Sequence, residues 1–433
     1  MGVFLEGWPS VYPIRPVPSS SLPATRPCFS PSSIGCSVAM PLDTTTALVI
    51  GAGIQGAGIA QALAAAGHEV LLVERSSIAA GTSSRSSKLI HGGLRYLESL
   101  QFSLVAESLA ERRTLLTIAP HLVRLVPFFI PIYGQTSRSR LQIRAGLSLY
   151  ALLGGLGEDS RYRSIPRRNW DSLDGLQTEG LKAVYRYQDG QTDDAALCRA
   201  VVASAAELGA RVALGAEVLG AERHSDLWRV RLKLNDEVLE VDTRLVINAA
   251  GPWANSVLNG FTPAPPRREV ELVGGTHIEV EGPMKQGIYY TEAASDRRAV
   301  FVMPWRDHTL VGTTEMPFSG DPSKVTPEPE EVDYLLGVLD HYFPNHSRKI
   351  LDAWTGLRVL PKGDGRAFHR SREVILSPDD EQRPSFVTVY GGKLTGYRAT
   401  AARVLALLQS NLPKAQAKAD TRTLLLPPDP QLE

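Results

Sequence analysis

The chain has few cysteines, no excess of either charge and no long apolar run, and each lack argues against a class of protein. Its 433 residues include three cysteines, Cys28, Cys36 and Cys198, and no C-x-x-C spacing. This pattern argues against a disulfide framework, a zinc site and a dithiol redox pair, so we expect no metal. Basic and acidic residues number 46 each, so no net field would recruit nucleic acid. No apolar stretch approaches the roughly 20 residues that cross a bilayer.

The first 46 residues differ from the rest, since they are rich in serine and proline and carry few charges. We expect residues 1–46 to be a disordered leader, because no periodicity is sustained there. Two alternatives stay open: translation starts at Met40, or the leader has a targeting role. No signal peptide is recognisable, and a proline-rich segment with only Arg15 and Arg26 before residue 40 is atypical of a transit peptide. We expect a cytoplasmic protein, with organelle targeting left open.

The most informative pattern is a glycine-rich turn after the first expected strand. Residues 49–56 (VIGAGIQG) predict a buried strand, a tight turn and the start of a helix, with Gly51, Gly53 and Gly56 at the dinucleotide-binding spacing. Glu74 ends the next apolar stretch, where an acid can accept hydrogen bonds from an adenosine ribose. The pyrophosphate is expected at the helix N-terminus, which favours anions. An ordinary glycine-rich turn is the alternative.

Further glycine turns bear on the choice between NAD and FAD. Residues 249–251 follow a buried strand, and Gly391 and Gly392 lie between a strand at 386–390 and a helix that starts at Tyr397. Three glycine turns from distant segments suit the extended FAD molecule better than NAD.

A basic segment lies in the first half of the chain. Residues 138–168 contain seven arginines against Glu158 and Asp159, with leucines at helical spacing. Such a segment either lies on an anionic membrane or forms the solvated face of an inserted subdomain. Just before it, Pro127 and Pro131 predict irregular structure or a strand edge over 122–133.

The order of elements predicts an α/β fold, with β-α-β at the start, mixed strands in the middle, and a final strand, double glycine and helix. We expect a Rossmann-like FAD-binding domain, built from discontinuous segments, with an inserted β-rich substrate domain. The expected division is a leader at 1–46; the FAD-binding domain at 47–125, 185–255 and 351–412; a basic amphipathic insertion at 126–184; the substrate domain at 256–350; and a tail at 413–433.

Six runs carry a more specific resemblance. They are residues 82–98 (TSSRSSKLIHGGLRYLE), 248–253 (NAAGPW), 312–314 (GTT), 355–358 (TGLR), 371–373 (SRE) and 391–398 (GGKLTGYR). In this order they resemble the FAD-dependent glycerol-3-phosphate dehydrogenases, which belong to the amino-acid-oxidase-like flavoproteins, and the resemblance covers roughly residues 47–410. The chain departs from the family's pattern in two ways. We expect it to lack the usual C-terminal helical domain, and it has Glu315 where the family more often has Asp.

The resemblance implies oxidation of sn-glycerol 3-phosphate to dihydroxyacetone phosphate by hydride transfer to FAD, with electrons passing to a quinone or another acceptor. It implies substrate binding by Arg95, Tyr96, Arg358, Arg372 and Thr395, since a phosphate dianion is well matched by arginine. The FAD contacts that it implies are Gly51, Gly53, Gly56, Glu74, Ser83, Ser86, Ser87, Lys88, His91, Gly92, Gly251, Gly392, Lys393, Leu394 and Thr395.

The same resemblance implies catalytic roles for His277, Arg358 and Lys393. His277 is the candidate base, although a core histidine is the alternative, and Arg358 with water as the proton acceptor is another. Lys393 would stabilise the reduced anionic flavin. Two other functions stay open: a related FAD-dependent oxidase or dehydrogenase of another hydroxy acid or amine, and a flavin-binding subunit without turnover. We expect peripheral contact with the inner face of a membrane if the basic segment binds lipid.

Overall fold

The computed structural model describes residues 44–362 and 374–429. Within these ranges the chain forms nineteen strands and seven α-helices. The strands are β1 Thr44–Ile50, β2 Val70–Glu74, β3 Leu89–Ile90, β4 Val123–Tyr133, β5 Arg163–Ser164, β6 Leu181–Thr192, β7 Arg211–Leu214, β8 Glu217–His224, β9 Leu227–Leu234, β10 Glu237–Asn248, β11 Phe261–Thr262, β12 Val270–Glu281, β13 Ile288–Glu292, β14 Ala299–Trp305, β15 His308–Gly312, β16 Met316–Phe318, β17 Ile350–Pro361, β18 Ile375–Pro378 and β19 Phe386–Tyr390. The helices are α1 Ile54–Ala65, α2 Phe102–Ile118, α3 Arg140–Leu153, α4 Asp194–Glu207, α5 Ala254–Val257, α6 Pro329–Tyr342 and α7 Tyr397–Leu408.

Nine strands form the first sheet, in the order β11-β8-β9-β10-β1-β2-β7, with β19 beside β10 and β18 beside β19. Its centre is parallel, since β1 pairs in parallel with β2 and β10, β2 with β7, and β10 with β19. Helices α1, α4 and α7 cover this sheet, and Leu63, Val201 and Val404 from the three helices share one buried cluster with its strands. This cover explains why the central parallel strands are apolar over Ala47–Ile50 in β1 and Val70–Val73 in β2.

Ten strands form the second sheet, in the order β16-β12-β15-β14-β13-β4-β6-β3, with β17 beside β12 and β5 beside β6. Helix α6 packs on one face of it, where Leu335 and Leu339 join a cluster with Val280 and Val311. The opposite face of β12 and β17 looks towards the first sheet. Residues that alternate along these two strands therefore face either α6 or the space between the sheets.

The chain passes from the first sheet to the second and back more than once. Strands β1 and β2 lie in the first sheet, β3 to β6 in the second, β7 to β11 in the first, β12 to β17 in the second, and β18 and β19 in the first. This path confirms the predicted α/β fold, with a Rossmann-like domain built from discontinuous segments and a β-rich inserted domain. The segment limits given above stay a prediction.

The expectation of irregular structure or a strand edge over 122–133 is wrong. Strand β4 lies inside the second sheet and pairs with β6 along nearly its whole length, whereas it pairs with β13 only through Phe128 and Phe129. Pro127 and Pro131 are four residues apart, so their missing N–H groups fall on the same side of the strand. The other side keeps its donors and supports a continuous ladder.

In the described part of the chain, no helix is both long enough and apolar enough to cross a membrane.

Candidate active site

A cavity of about 600 Å³ lies between the two sheets. Its walls come from the turn after β1, the end of β2, the loop before β3, the turn after β10, strands β12 and β17, and the double-glycine turn after β19. The carboxyl ends of parallel strands in open α/β sheets are where ligands bind. The cavity is therefore the candidate active site.

The glycine turn lies at one end of this cavity and presents the N-terminus of α1. Gly51 has a φ of +99°, and a Cβ there would lie 2.8 Å from the carbonyl oxygen of Ala249. Gly53 lines the cavity, and Ser83 Oγ accepts a hydrogen bond from the neighbouring Ile54 N–H at 2.9 Å. Gly56 lies behind the wall, where any Cβ would collide with the Gly51 carbonyl oxygen. Backbone N–H groups at this helix end suit a pyrophosphate.

Glu74 lies beside the turn, at the end of β2. Its Oε2 accepts from Ala52 N–H at 2.9 Å, and its Oε1 accepts from the N–H and hydroxyl of Ser76. Arg75 stacks on Trp253, with its Cζ 4.2 Å from the ring centroid, and both line the same end of the cavity. No sequence pattern indicated this pair, although Trp253 ends one of the resembling runs. Together these residues form a half-enclosed end suited to an adenosine.

The serine-rich loop before β3 divides its side chains between the cavity and the protein interior. Ser83, Ser86, Ser87 and His91 line the cavity. Lys88 lies behind the wall instead, where its Nζ donates to Asp194 Oδ1 at 2.6 Å and to the Ser84 carbonyl at 2.6 Å. Gly92 also lies behind the wall. An aspartate at the start of α4 therefore holds the loop, and none of the sequence motifs indicated it.

His277 and Arg358 lie at the other end of the cavity. His277, on β12, is 1% exposed, and its Nε2 lies 2.9 Å from Ser87 Oγ. Arg358, on β17, donates from Nη2 to Thr313 Oγ1 at 3.2 Å, and its Nη1 lies 3.7 Å from Glu315 Oε1. Burial, aided by the charges of Arg358 and Lys88, lowers the pKa of His277 to about 3. The ring is therefore neutral at physiological pH.

The double-glycine turn brings Lys393 to the same end. Lys393 Nζ lies 4.0 Å from the centroid of the Tyr96 ring, and Tyr96 Oη accepts from Arg95 Nη2 at 3.3 Å. Thr395 Oγ1 accepts from the His91 N–H at 3.2 Å, which ties this turn to the loop before it. Tyr96 lines the cavity, whereas Arg95 lies behind it. Two cations thus flank one aromatic ring.

Most of the site residues expected from the sequence meet in this one cavity. Those that line it are Gly51, Gly53, Glu74, Ser83, Ser86, Ser87, His91, Tyr96, Gly251, His277, Arg358, Gly392, Lys393, Leu394 and Thr395. Those that lie behind its wall are Gly56, Lys88, Gly92 and Arg95. Arg372 lies outside the described residues. Thr313, a contact of Arg358 that the sequence analysis did not name, stands inside the resembling run 312–314.

The cavity suits FAD. It has the acidic strand end of Glu74 at one end, the N-terminus of α1 beside it, and His277, Arg358 and Lys393 towards the other end, which matches the order of adenosine, pyrophosphate and reactive ring in FAD. Glycine is required at Gly51, because φ is +99° there and a Cβ would clash with the Ala249 backbone, and this tight turn brings the N-terminus of α1 to the cavity.

Comparison with known proteins agrees with the geometry. Residues 46–406 match the family model for FAD-dependent oxidoreductases. The D-erythritol 1-phosphate dehydrogenase of Brucella abortus is 34% identical, over 86% of this chain and 75% of that protein. The glycerol-3-phosphate dehydrogenase of Pseudomonas aeruginosa is 37% identical, over 83% of this chain and 71% of that protein.

A solved structure gives the same picture. The X-ray structure of the glycerol-3-phosphate dehydrogenase from Bacillus halodurans, complexed with FAD, is 26% identical and superposes with a TM-score of 0.68. The match covers 88% of this chain and 68% of that one.

Proposed function

Because this chain belongs to the FAD-dependent oxidoreductase family, we propose that it oxidises the secondary alcohol of sn-glycerol 3-phosphate to dihydroxyacetone phosphate. It is an enzyme, and its cofactor is FAD, which when bound supplies the hydride acceptor. The observation that carries the proposal is the convergence of a neutral histidine and two cationic side chains at one end of a dinucleotide-sized cavity. The relatives in Pseudomonas and Brucella that act on phosphorylated polyols support the same class of substrate.

The phosphate is assigned to the arginines. Arg358 offers a planar guanidinium whose position is set by Thr313 and Glu315, and such a fork matches two phosphate oxygens at once. Arg95 adds positive charge from behind Tyr96, and Arg372 is assigned to the same phosphate by its motif. Partly buried cations bind a dianion more strongly than exposed ones because solvent screens them less.

The alcohol proton is assigned to His277. In this proposal Nε2 is the unprotonated nitrogen and accepts from the Ser87 hydroxyl, which passes its proton to Nε2 as it takes the proton of the alcohol. A ring with so low a pKa is a weak base at rest, but the approach of the phosphate dianion raises its proton affinity. Lys393 supplies positive charge beside the reacting end of the cavity, where negative charge builds as the alcohol is oxidised.

The electrons are assigned to a quinone-type acceptor reached from a membrane surface. Helix α3 supports this, because Leu141 and Leu152 are exposed on one face and Arg140 and Arg144 flank that face. Leu156, just after the helix, is also exposed. Leucines beside arginines fit an anionic lipid surface.

One anaerobic experiment tests the proposal in two steps. The purified yellow protein receives sn-glycerol 3-phosphate while the flavin absorbance is followed, with D-erythritol 1-phosphate, glycerol and an amino acid as comparisons. We expect bleaching by sn-glycerol 3-phosphate and none by glycerol. Arg358→Met should keep the flavin and lose the bleaching, whereas Arg348→Met, at an exposed arginine, should behave as the wild type. An unchanged flavin spectrum in the wild type would overturn the proposed substrate.

The second step adds an acceptor to the reduced protein. Anionic vesicles that contain a quinone should reoxidise the flavin faster than vesicles of neutral lipid with the same quinone. Equal rates with the two kinds of vesicle would contradict the membrane contact. If only oxygen reoxidises the flavin, the acceptor is oxygen and not a quinone.

A further inference from the structure

One carboxylate outside the cavity joins the three segments that carry the substrate end. Glu331 lies in the first turn of α6 and is 7% exposed. Its Oε2 accepts from Thr276 Oγ1 at 2.8 Å, and its Oε1 accepts from Thr314 Oγ1. Thr276 Oγ1 also lies 2.7 Å from Thr355 Oγ1. Two buried threonines thus bind Glu331 directly, and a third, Thr355, is linked to it through Thr276.

Each of these threonines is a near neighbour of a residue that faces the cavity. Thr276 precedes His277 on β12, and successive side chains of a strand point to opposite faces. Thr355 lies three residues before Arg358 on β17, which also places the two on opposite faces. Thr314 follows Thr313, the hydroxyl that accepts from Arg358. The threonines on the face under α6 therefore help to fix the positions of the residues on the cavity face.

The hydrogen bonds of this cluster have one consistent direction when Glu331 is ionised. A carboxylate only accepts, so Thr276 and Thr314 must both donate to it. The single hydroxyl proton of Thr276 is then used in its bond to Glu331, so the Thr355 hydroxyl must donate to Thr276 Oγ1. Thr314 Oγ1 also accepts from the Thr276 N–H at 2.8 Å. The network is ordered, and buried polar networks of this kind fix geometry because any unpaired member costs free energy.

We propose that Glu331 is a positioning residue that holds His277 and Arg358 in the arrangement that a phosphate-bearing substrate requires. This inference rests on the proposed function. Glu331 also accepts from the Glu328 N–H at 3.2 Å and so caps its own helix. A purely structural cap would affect stability, whereas a positioning role also sets the affinity for phosphate.

The test compares Glu331→Gln with Glu330→Gln, its exposed neighbour on the same helix turn. The glutamine keeps the shape and one acceptor but places an NH2 group where a second hydroxyl must donate. We expect Glu331→Gln to retain FAD and to raise the KM for sn-glycerol 3-phosphate about tenfold, with a smaller change in kcat, because small displacements of binding groups cost affinity. Glu330→Gln should match the wild type.

A second pair of variants covers the case in which Glu331→Gln does not fold. Thr276→Val removes the hydroxyl at nearly constant shape, and Thr276→Ser restores it. We expect the raised KM in the valine variant and a return towards the wild-type value in the serine variant. A wild-type KM in Glu331→Gln or in Thr276→Val would overturn the inference.

A titration with inorganic phosphate separates this inference from the proposed function. Phosphate binding is followed as a change in the flavin absorbance of the holoenzyme, without turnover. If the wild type binds phosphate but does not oxidise sn-glycerol 3-phosphate, the proposed substrate fails while a weaker phosphate affinity in Glu331→Gln still supports the inference. If the wild type neither oxidises the substrate nor binds phosphate, both fail.

Discussion

At the scale of single residues, the substrate end of the cavity requires a residue without a side chain at position 275. Gly275 lies on β12 directly beneath the guanidinium of Arg358. A Cβ at this position would lie 2.6 Å from Arg358 Nη2 and 2.6 Å from Thr313 Oγ1, closer than real contacts allow. The atoms it meets are the ends of side chains, so the fold can adapt, but only by moving Arg358.

We therefore expect Gly275→Ala to fold and bind FAD but to raise the KM for sn-glycerol 3-phosphate at least about tenfold, because the arginine fork is displaced. The matched control is Gly337→Ala on α6, where a Cβ meets nothing within 4 Å. That exchange should leave the KM unchanged and stabilise the helix by up to about 1 kcal/mol. Steady-state kinetics and thermal unfolding measure both effects. An unchanged KM in Gly275→Ala would show that Arg358 does not bind the substrate.

The buried neutral His277 gives the stability of the protein a defined dependence on pH. Its folded-state pKa is about 3, against an ordinary 6.5 in the unfolded chain. Between these two values the unfolded chain binds a proton that the folded chain does not, so stability rises with pH there and falls as the pH drops below 6.5. The loss from this residue is about 1.4 kcal/mol per pH unit.

The FAD-loaded protein should therefore lose stability between pH 7 and pH 5 more steeply than His277→Asn does. The comparison uses the slope of the unfolding temperature against pH, because the substitution also removes the Ser87 contact and shifts the absolute value. His224→Asn, at an exposed histidine, should keep the wild-type slope. Parallel slopes for wild type and His277→Asn would mean that His277 is charged in the folded protein.

At the scale of helices and strands, local patterns predicted the elements better than their partners. The periodicity over 102–118 predicts a helix, and α2 spans Phe102–Ile118. The same pattern describes it as a charged amphipathic helix and gives no sign that Arg112 is fully buried. Arg112 Nη1 donates to Asp189 Oδ1 on β6 at 2.9 Å, and Glu111 accepts from Arg398 on α7. Helical spacing fixes a face of a helix, whereas the partner on that face comes from a distant segment.

The candidate site shows the same division. Glu74, Gly51 and Gly53, which motif spacing groups together, line one cavity, because each lies within a few residues of the turn that positions it. Lys88 shared a motif with Ser87 but faces Asp194, a hundred residues away. Tyr150 on α3 accepts from the Gly92 N–H and donates to Asp189, a link between the basic segment and the site loop that no local pattern indicates. Contacts between distant segments depend on packing, which the periodicity of one segment does not contain.

At the scale of the whole molecule, the segment after α7 joins helices at the end of the fold away from the cavity. The Lys418 N–H donates to the carbonyl oxygen of Ala65, the last residue of α1, at 2.7 Å. The Leu426 N–H donates to Ile118, the last residue of α2, at 2.7 Å, and Lys418 Nζ donates to Leu208 at the end of α4 at 2.6 Å. The final carbonyls of a helix lack partners within it, so this segment caps three helices.

We expect a chain that ends at Leu412 to unfold several degrees below the full chain, since it loses three capping hydrogen bonds at about 1 kcal/mol each. None of residues 413–429 lines the cavity, so the truncated protein should keep its FAD and its KM for sn-glycerol 3-phosphate. A chain that ends at Asp429 keeps every one of these contacts and is the matched control. If the shorter chain melts with the control, water caps the three helices equally well. If it keeps its melting temperature but loses FAD or substrate affinity, the segment acts on the site rather than on the helix ends.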